Sequence, residues 1–173
     1  GFDVSQIKSL RKIFYNTKID TLNGFNIDTR NIQDFSYFFA NTEFIEIDLS
    51  KINTEKATNM SHMFENCGWV KKLNLSNLIT KNVRDMSFMF NSCEGLSSLD
   101  LSNFETNSVM NMSGMFKECL LLNEINIKSF ETNNVKDMSS MFDNCNSLKE
   151  IKLENFKTNN VINMEKMFYY CLK

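Results

Sequence analysis

Five cysteines are the residues of this chain best equipped for chemistry, and Cys67, Cys93, Cys119, Cys145 and Cys171 follow one another at intervals of 26 residues. Thiols pair as disulfides, ligate zinc or act as nucleophiles, and each role demands its own spacing. Bridged cysteines hold their Cα atoms about 4.4–6.8 Å apart, a separation that stacked repeats approach. Against pairing, the count is odd and side chains repeated at one interval point the same way. No C-x-x-C pair and no Cys/His spacing suited to zinc occurs. The pattern favours a file of buried free thiols, each behaving as a small apolar side chain.

The single histidine, His62, stands between Met60 and Met63, in a slot that other copies fill with Phe88, Gly114, Ser140 and Lys166. It is expected to face solvent without a special role. No phosphate-cradling glycine loop, nucleophile elbow or paired-carboxylate setting is present, so catalysis is not expected and no cofactor or metal site is assigned. Asn59, Asn74 and Asn111 each open an N-x-S sequon, but the repeat itself generates these strings.

The cysteines belong to a longer recurring phrase. "NMSHMFENC" at residues 59–67 returns as "DMSFMFNSC", "NMSGMFKEC", "DMSSMFDNC" and "NMEKMFYYC". The same beat carries Ile52, Leu78, Phe104, Phe130 and Phe156; Thr54, Thr80, Thr106, Thr132 and Thr158; and Ala57, Val83, Val109, Val135 and Val161. Upstream, Phe35, Phe38 and Phe39 take the places of Met60, Met63 and Phe64, and Leu10, Ile13 and Phe14 do so one unit earlier, with Thr17 and Thr42 replacing the cysteine. Phe2, Val4 and Ile7 fit the end of a preceding unit. A fixed period of this length marks an array whose units cannot bury their apolar faces alone. Residues 1–173 therefore read as one domain of about six and a half units, starting near 10, 35, 60, 86, 112, 138 and 164. Because it stops in mid-repeat at Lys173, the chain is expected to be a fragment of a longer protein.

Apolar residues make up 42% of the chain, enough for a core, and no 18-residue apolar run exists to span a membrane. A net charge of −2 with interspersed signs offers no footprint for nucleic acid or an anionic membrane. No signal sequence is visible at the N-terminus.

Within one unit, Leu99 and Leu101 alternate with Ser98, Asp100 and Ser102, the period-two signature of a short strand with one buried face. Beyond it Phe104, Thr106, Val109, Met112, Met115, Phe116, Cys119 and Leu122 turn inward mostly every third residue, as in a tight coil with helical or 3₁₀ turns. Ser9, Asp34, Asn59, Asp85, Asn111, Asp137 and Asn163 precede the first apolar residue of each phrase. All are cap formers, and they predict a helix of roughly two turns from the cap to the cysteine. Stacked at strand spacing, about 4.7–4.9 Å, the repeated Met, Phe and Cys would form ladders along the core. The expected fold is an α/β repeat solenoid with one short parallel strand and one short helix or 3₁₀ turn per unit of 25–26 residues.

The string MSxMFxxCxxLxxLxLSNFxTxxV, carried strongly from Met60 onward, resembles the BspA-like leucine-rich repeat of bacterial and mycoplasma surface lipoproteins. That resemblance covers nearly the whole chain. It implies a right-handed leucine-rich-repeat-like coil with a parallel sheet on one face. It also implies a cell-surface or secreted location, adhesion to host, extracellular-matrix or neighbouring-cell proteins, and no shared catalytic residues. The units beginning at Leu10 and Phe35 depart from the string where Met and Cys are replaced.

The outward strand slots are the candidate partner-binding face: Glu46, Asp48, Lys72, Asn74, Ser98, Asp100, Glu124, Asn126, Glu150 and Lys152. A solvated face without a ligand is the competing reading. Trp69 and Phe44, just ahead of the strands, are alternative aromatic anchors. Two functions from different classes follow: a non-catalytic protein-interaction module, or a spacer that projects another domain and has no ligand of its own.

Overall fold

The computed structural model describes residues 4–19, 21–22 and 27–171, so Phe2 and Lys173 lie outside the described residues. Parallel bridges join Ser9 to Asp34, Asp34 to Asn59, Asn59 to Asp85, Asp85 to Asn111, Asn111 to Asp137 and Asp137 to Asn163. Each copy of the phrase thus lies directly beside the next, and these bridges form an unbroken ladder one residue wide. Its members were expected to cap helices. Their side chains do accept local bonds: the Oδ1 atoms of Asp34, Asn59, Asp85, Asn111, Asp137 and Asn163 take the amides two residues on, at 2.8–3.0 Å. What they close is a turn.

The expected two-turn helix does not form, and no helix occurs among the described residues. In the unit at 86–93 the amides of Met86, Phe88, Phe90 and Ser92 donate across to the carbonyls of Asn111, Ser113, Met115 and Lys117, at 2.8–3.0 Å. The alternate amides of Met89, Asn91 and Cys93 turn back to the carbonyls three residues earlier, at 3.1–3.3 Å. An α-helix would consume these amides internally and leave none to join one unit to the next. The backbone instead enters the left-handed region twice per unit, at Phe88 (φ 54°) and Ser92 (φ 57°) here and at matching positions elsewhere. A positive φ every fourth residue interrupts any helical run and closes the turns of a tight coil. Gly114 (φ 59°) is the one glycine in this file, and a Cβ there would lie 2.3 Å from the ring of Phe88.

The strand side is sparser than expected. β1 (Ser98–Asp100) and β2 (Glu124–Asn126) pair in parallel with Leu99 opposite Ile125. Among the described residues the corresponding slots of other units carry no strand.

Between the two sides lies a core of ladders. Phe14, Phe39, Phe64, Phe90, Phe116, Phe142 and Phe168 stack ring upon ring, with centroids 5.3–5.8 Å apart and planes within 18°. Phe39 through Phe142 are buried. Stacking of this kind adds about 0.5–1.5 kcal/mol per pair beyond the area buried. Met60, Met86, Met112 and Met138 are buried beside them, as are Met63, Met89, Met115 and Met141.

The threonine file explains itself by hydrogen bonding. Thr106 Oγ1 donates to the carbonyl of Glu131 at 2.9 Å and accepts from the amide of the same residue at 2.7 Å. Thr29, Thr54, Thr80 and Thr132 make the same two bonds to Asn53, Ile79, Glu105 and Lys157. Each hydroxyl therefore satisfies both polar groups of one residue in the next unit. Valine has the same shape and could do neither.

Candidate interaction surface

The candidate strand-face residues lie on the surface, with Asn126 half-buried and Glu46, Asp48, Lys72, Asn74, Ser98, Asp100, Glu124, Glu150 and Lys152 exposed. They divide into two columns with different physical roles. The oxygen atoms of Asp48, Asn74, Asp100 and Asn126 accept the amides of Ser50, Ser76, Ser102 and Lys128, at 2.8, 3.1, 3.0 and 3.4 Å. This column makes turns. Asp48 and Asp100 are held below the ordinary carboxyl range because each accepts the backbone amide, and then the hydroxyl, of the serine two residues on. In the last unit Lys152 stands in this column, where it has no acceptor to offer.

The other column, Glu46, Lys72, Ser98, Glu124 and Glu150, engages in no side-chain hydrogen bond or ion pair among the described residues. These side chains vary among acidic, basic and neutral while the sequence around them repeats. They are free to meet a partner without breaking the fold.

Between β2 and residues 149–152 the face opens into a cleft of about 310 Å³, lined by residues 123–128 on one side and Lys149, Glu150 and Lys152 on the other. Of its apolar members Ile125 is half-buried, as is Leu73 in the equivalent slot, and Ile127 is buried. Of the two aromatic anchors, Trp69 is 69% exposed. Phe44 is not available for that role. It is buried and packs edge-on against Phe39 at 5.9 Å.

His62 is likewise not the solvent-facing bystander expected from its slot. Its ring is half-buried and stacked between Tyr37, at 4.2 Å, and Phe88, at 5.0 Å. Its Nδ1 lies 2.9 Å from Glu65 Oε2, and Arg11 sits over the Tyr37 ring at 4.9 Å. Burial raises the Glu65 carboxyl, but bonds from His62 and Asn91 outweigh it and leave the group below its ordinary value. Sequence reasoning missed this stack, although Tyr37, His62 and Phe88 stand at one position of three successive units.

All five cysteines are free. Cys67, Cys93, Cys119, Cys145 and Cys171 point their sulfur atoms at the carbonyls of Phe39, Phe64, Phe90, Phe116 and Phe142, 3.0–3.2 Å away in the preceding unit. Thr42 in the same position donates to Phe14, at 3.0 Å. The shared property of Cys and Thr here is a short side chain with a donor. Burial pushes the Cys67 and Cys145 thiols up to about 12, with Cys93 and Cys119 also raised well above the ordinary thiol range. Protonated thiols bonded to carbonyls make poor nucleophiles. Among the described residues no group of His, Cys, Asp or Glu could hold a metal ion. No helix among them is long and apolar enough to cross a membrane.

Neither a curated protein nor a solved structure matches the chain. A family model described as Mycoplasma protein of unknown function, DUF285, matches residues 1–93 and 68–173, which together span the sequence. With its phrase repeated and stacked from end to end, the chain belongs to this Mycoplasma-associated repeat family.

Proposed function

We propose that the chain is a right-handed repeat solenoid of the BspA-like kind, with a chain of turns where a leucine-rich repeat carries its helix. It serves as a non-catalytic protein-interaction module of a cell-surface protein, binding a protein of a host, a matrix or a neighbouring cell. One observation carries the reading. The repeating backbone bonds hold the units in register, while the outward column Glu46, Lys72, Ser98, Glu124 and Glu150 varies and, among the described residues, makes no side-chain hydrogen bond or ion pair. A fixed frame with variable, unengaged side chains is how repeat arrays present extended binding surfaces. The protein should be captured from solution by a surface partner, and charge reversal at Glu124, Glu150 and Lys152 should weaken capture without changing thermal stability. Capture unaffected by that triple reversal would remove the strand face from the reading.

The spacer reading draws on a different observation, the continuous seven-ring stack from Phe14 to Phe168, which stiffens the array along its axis. A spacer would bind no partner at any concentration and would show the same surface whatever charges its strand slots carried.

A further inference from the structure

A groove of about 600 Å³ crosses successive units on a part of the surface that holds none of the strand slots. One wall is a column of Arg84, Met110, Lys136 and Ile162, each just ahead of a residue of the bridge ladder. The amides of Met110, Lys136 and Ile162 each donate to the carbonyl of the column member before them, at 2.8–2.9 Å, which holds the column in step at strand spacing. The other wall is Ser108, Asn134 and Asn160. Ser108 Oγ and the Nδ2 atoms of both asparagines reach back to carbonyls of the preceding unit, those of Lys81, Asn107 and Asn133, at 2.7–2.8 Å. Pinned in this way, each asparagine keeps its Oδ1 as an acceptor without a partner among the described residues.

Charge sets this groove apart from the clefts of the strand face. Those carry Glu124 with Glu150 or with Asp100, whereas no acidic residue lines the groove. Its two wall slots run along the array from Gln6 and Lys8 to Asn160 and Ile162. They hold Lys8, Lys56, Arg84 and Lys136 but no acid in any unit, in a chain with 21 acidic residues. The net charge of −2 hides this segregation. Arg84 and Lys136 make no ion pair or side-chain hydrogen bond among the described residues. The carboxylates next in the chain, Asp85 and Asp137, do not line the groove, and each is drawn into its own turn by the amide of Ser87 or Ser139. Between the two cations stands Met110, 39% exposed, and beyond them Ile162, 84% exposed. Cation and apolar side chain therefore alternate along the wall at a spacing of about 4.7–4.9 Å.

We propose that this groove binds an extended anionic polysaccharide in which acidic and neutral sugars alternate. A sugar ring advances an extended glycan by a length close to one strand spacing. Carboxylates on every second ring then meet Arg84 and Lys136, about 9.4–9.8 Å apart, in charge-assisted hydrogen bonds. The C–H faces of the rings between lie on Met110 and Ile162, and ring hydroxyls donate to the free Oδ1 atoms of Asn134 and Asn160. Two other anionic chains fit the wall less closely. An extended peptide repeats its side chains on one face about every 6.6–6.8 Å, out of step with the column. A single nucleic-acid strand carries an anion on every unit and binds by stacking its bases on aromatic rings, and no aromatic residue lines the groove. The site is separate from the strand face, so the failure of either leaves the other standing.

The test titrates the whole chain by calorimetry, at low ionic strength, with an oligosaccharide of alternating glucuronate and N-acetylglucosamine. Four controls accompany it: the same oligosaccharide with its carboxyls reduced to alcohols, an oligomer of galacturonate alone, a single-stranded oligonucleotide, and a peptide with glutamate at every third residue. That peptide is the strongest competitor, since a polyproline-type helix returns to one face every three residues, about 9.3 Å. The alternating oligosaccharide is expected to bind more tightly than each control by about tenfold or more. The Arg84→Ala, Lys136→Ala double variant should lose a comparable factor with thermal stability unchanged, because neither side chain bonds within the fold. Met110→Lys should shift the preference toward the galacturonate oligomer. No binding of the alternating oligosaccharide, or binding that survives the double variant or the reduction of its carboxyls, overturns the site. Equal or tighter binding of the peptide or the oligonucleotide overturns a glycan as its occupant. A preference that Met110→Lys leaves unchanged overturns the match to alternating sugars.

Discussion

Each unit presents two sides built to different standards. On the turn side, from Met60 to Cys67 and at its equivalents from Leu10 to Cys145, alternate amides bond to the next unit and the rest close turns on themselves. On the strand side, among the described residues, strand pairing is confined to β1 and β2. The letters mirror this difference. Met, Met, Phe and Cys recur on the turn side, while the strand slots wander among Glu, Lys, Ser, Asp and Asn. Where the side chains are constant the stacking is continuous, and where they vary it is intermittent. Cohesion and variability are thus separated onto opposite sides of each unit.

The comparison can be broken most forcefully from the ladder. Phe116→Ala removes the middle of the ring stack and should destabilise the chain by about 3–5 kcal/mol in urea unfolding. A loss under about 1 kcal/mol would mean that the stack does not hold the units together. Next comes Thr106→Val, which strips both hydrogen bonds from Glu131 and should cost about 1–3 kcal/mol, with Thr106→Ser recovering most of it. Asn111→Ala, which deletes the acceptor for the Ser113 amide, should cost about 1 kcal/mol. On the strand side, Glu124→Gln should change stability by no more than about 0.5 kcal/mol, since its side chain engages nothing.

The smallest effect is electrostatic. Asp48 and Asp100 have folded values below the ordinary one, so the stability they add is present above the ordinary carboxyl range and lost as pH falls through their lowered values. Following each carboxyl by NMR titration checks the sign. A value raised above the ordinary range would contradict the turn-forming role of this column.

The stacking of the copies was legible in the sequence, for a physical reason. A stacked array turns recurrence in the chain into adjacency in space, so the period alone places Phe90 against Phe116 and Cys93 beside Cys119. Two features escaped. Apolar residues three apart behind a cap-forming residue look the same for a short helix and for consecutive turns, because both close bonds of similar span. The discriminating signal lay in the left-handed positions, where Asn16, Asn41, Asn66, Asn144 and Gly114 are residues that tolerate positive φ. The strand face was located by alternation, but Asp48, Asn74, Asp100 and Asn126 were counted with the contact residues although they make turns. Side-chain alternation shows which way a residue points, and only geometry shows whether its oxygen is already engaged.

Residue-resolved amide hydrogen exchange tests the division between the two sides most directly. Met86, Phe88, Phe90 and Ser92, which donate to the next unit, should exchange near the rate of global unfolding, while Ile125 and Ile127 at the open edge exchange far faster. Equal protection on both sides, or fast exchange at Phe88 and Phe90, would contradict a coil held together along its turns.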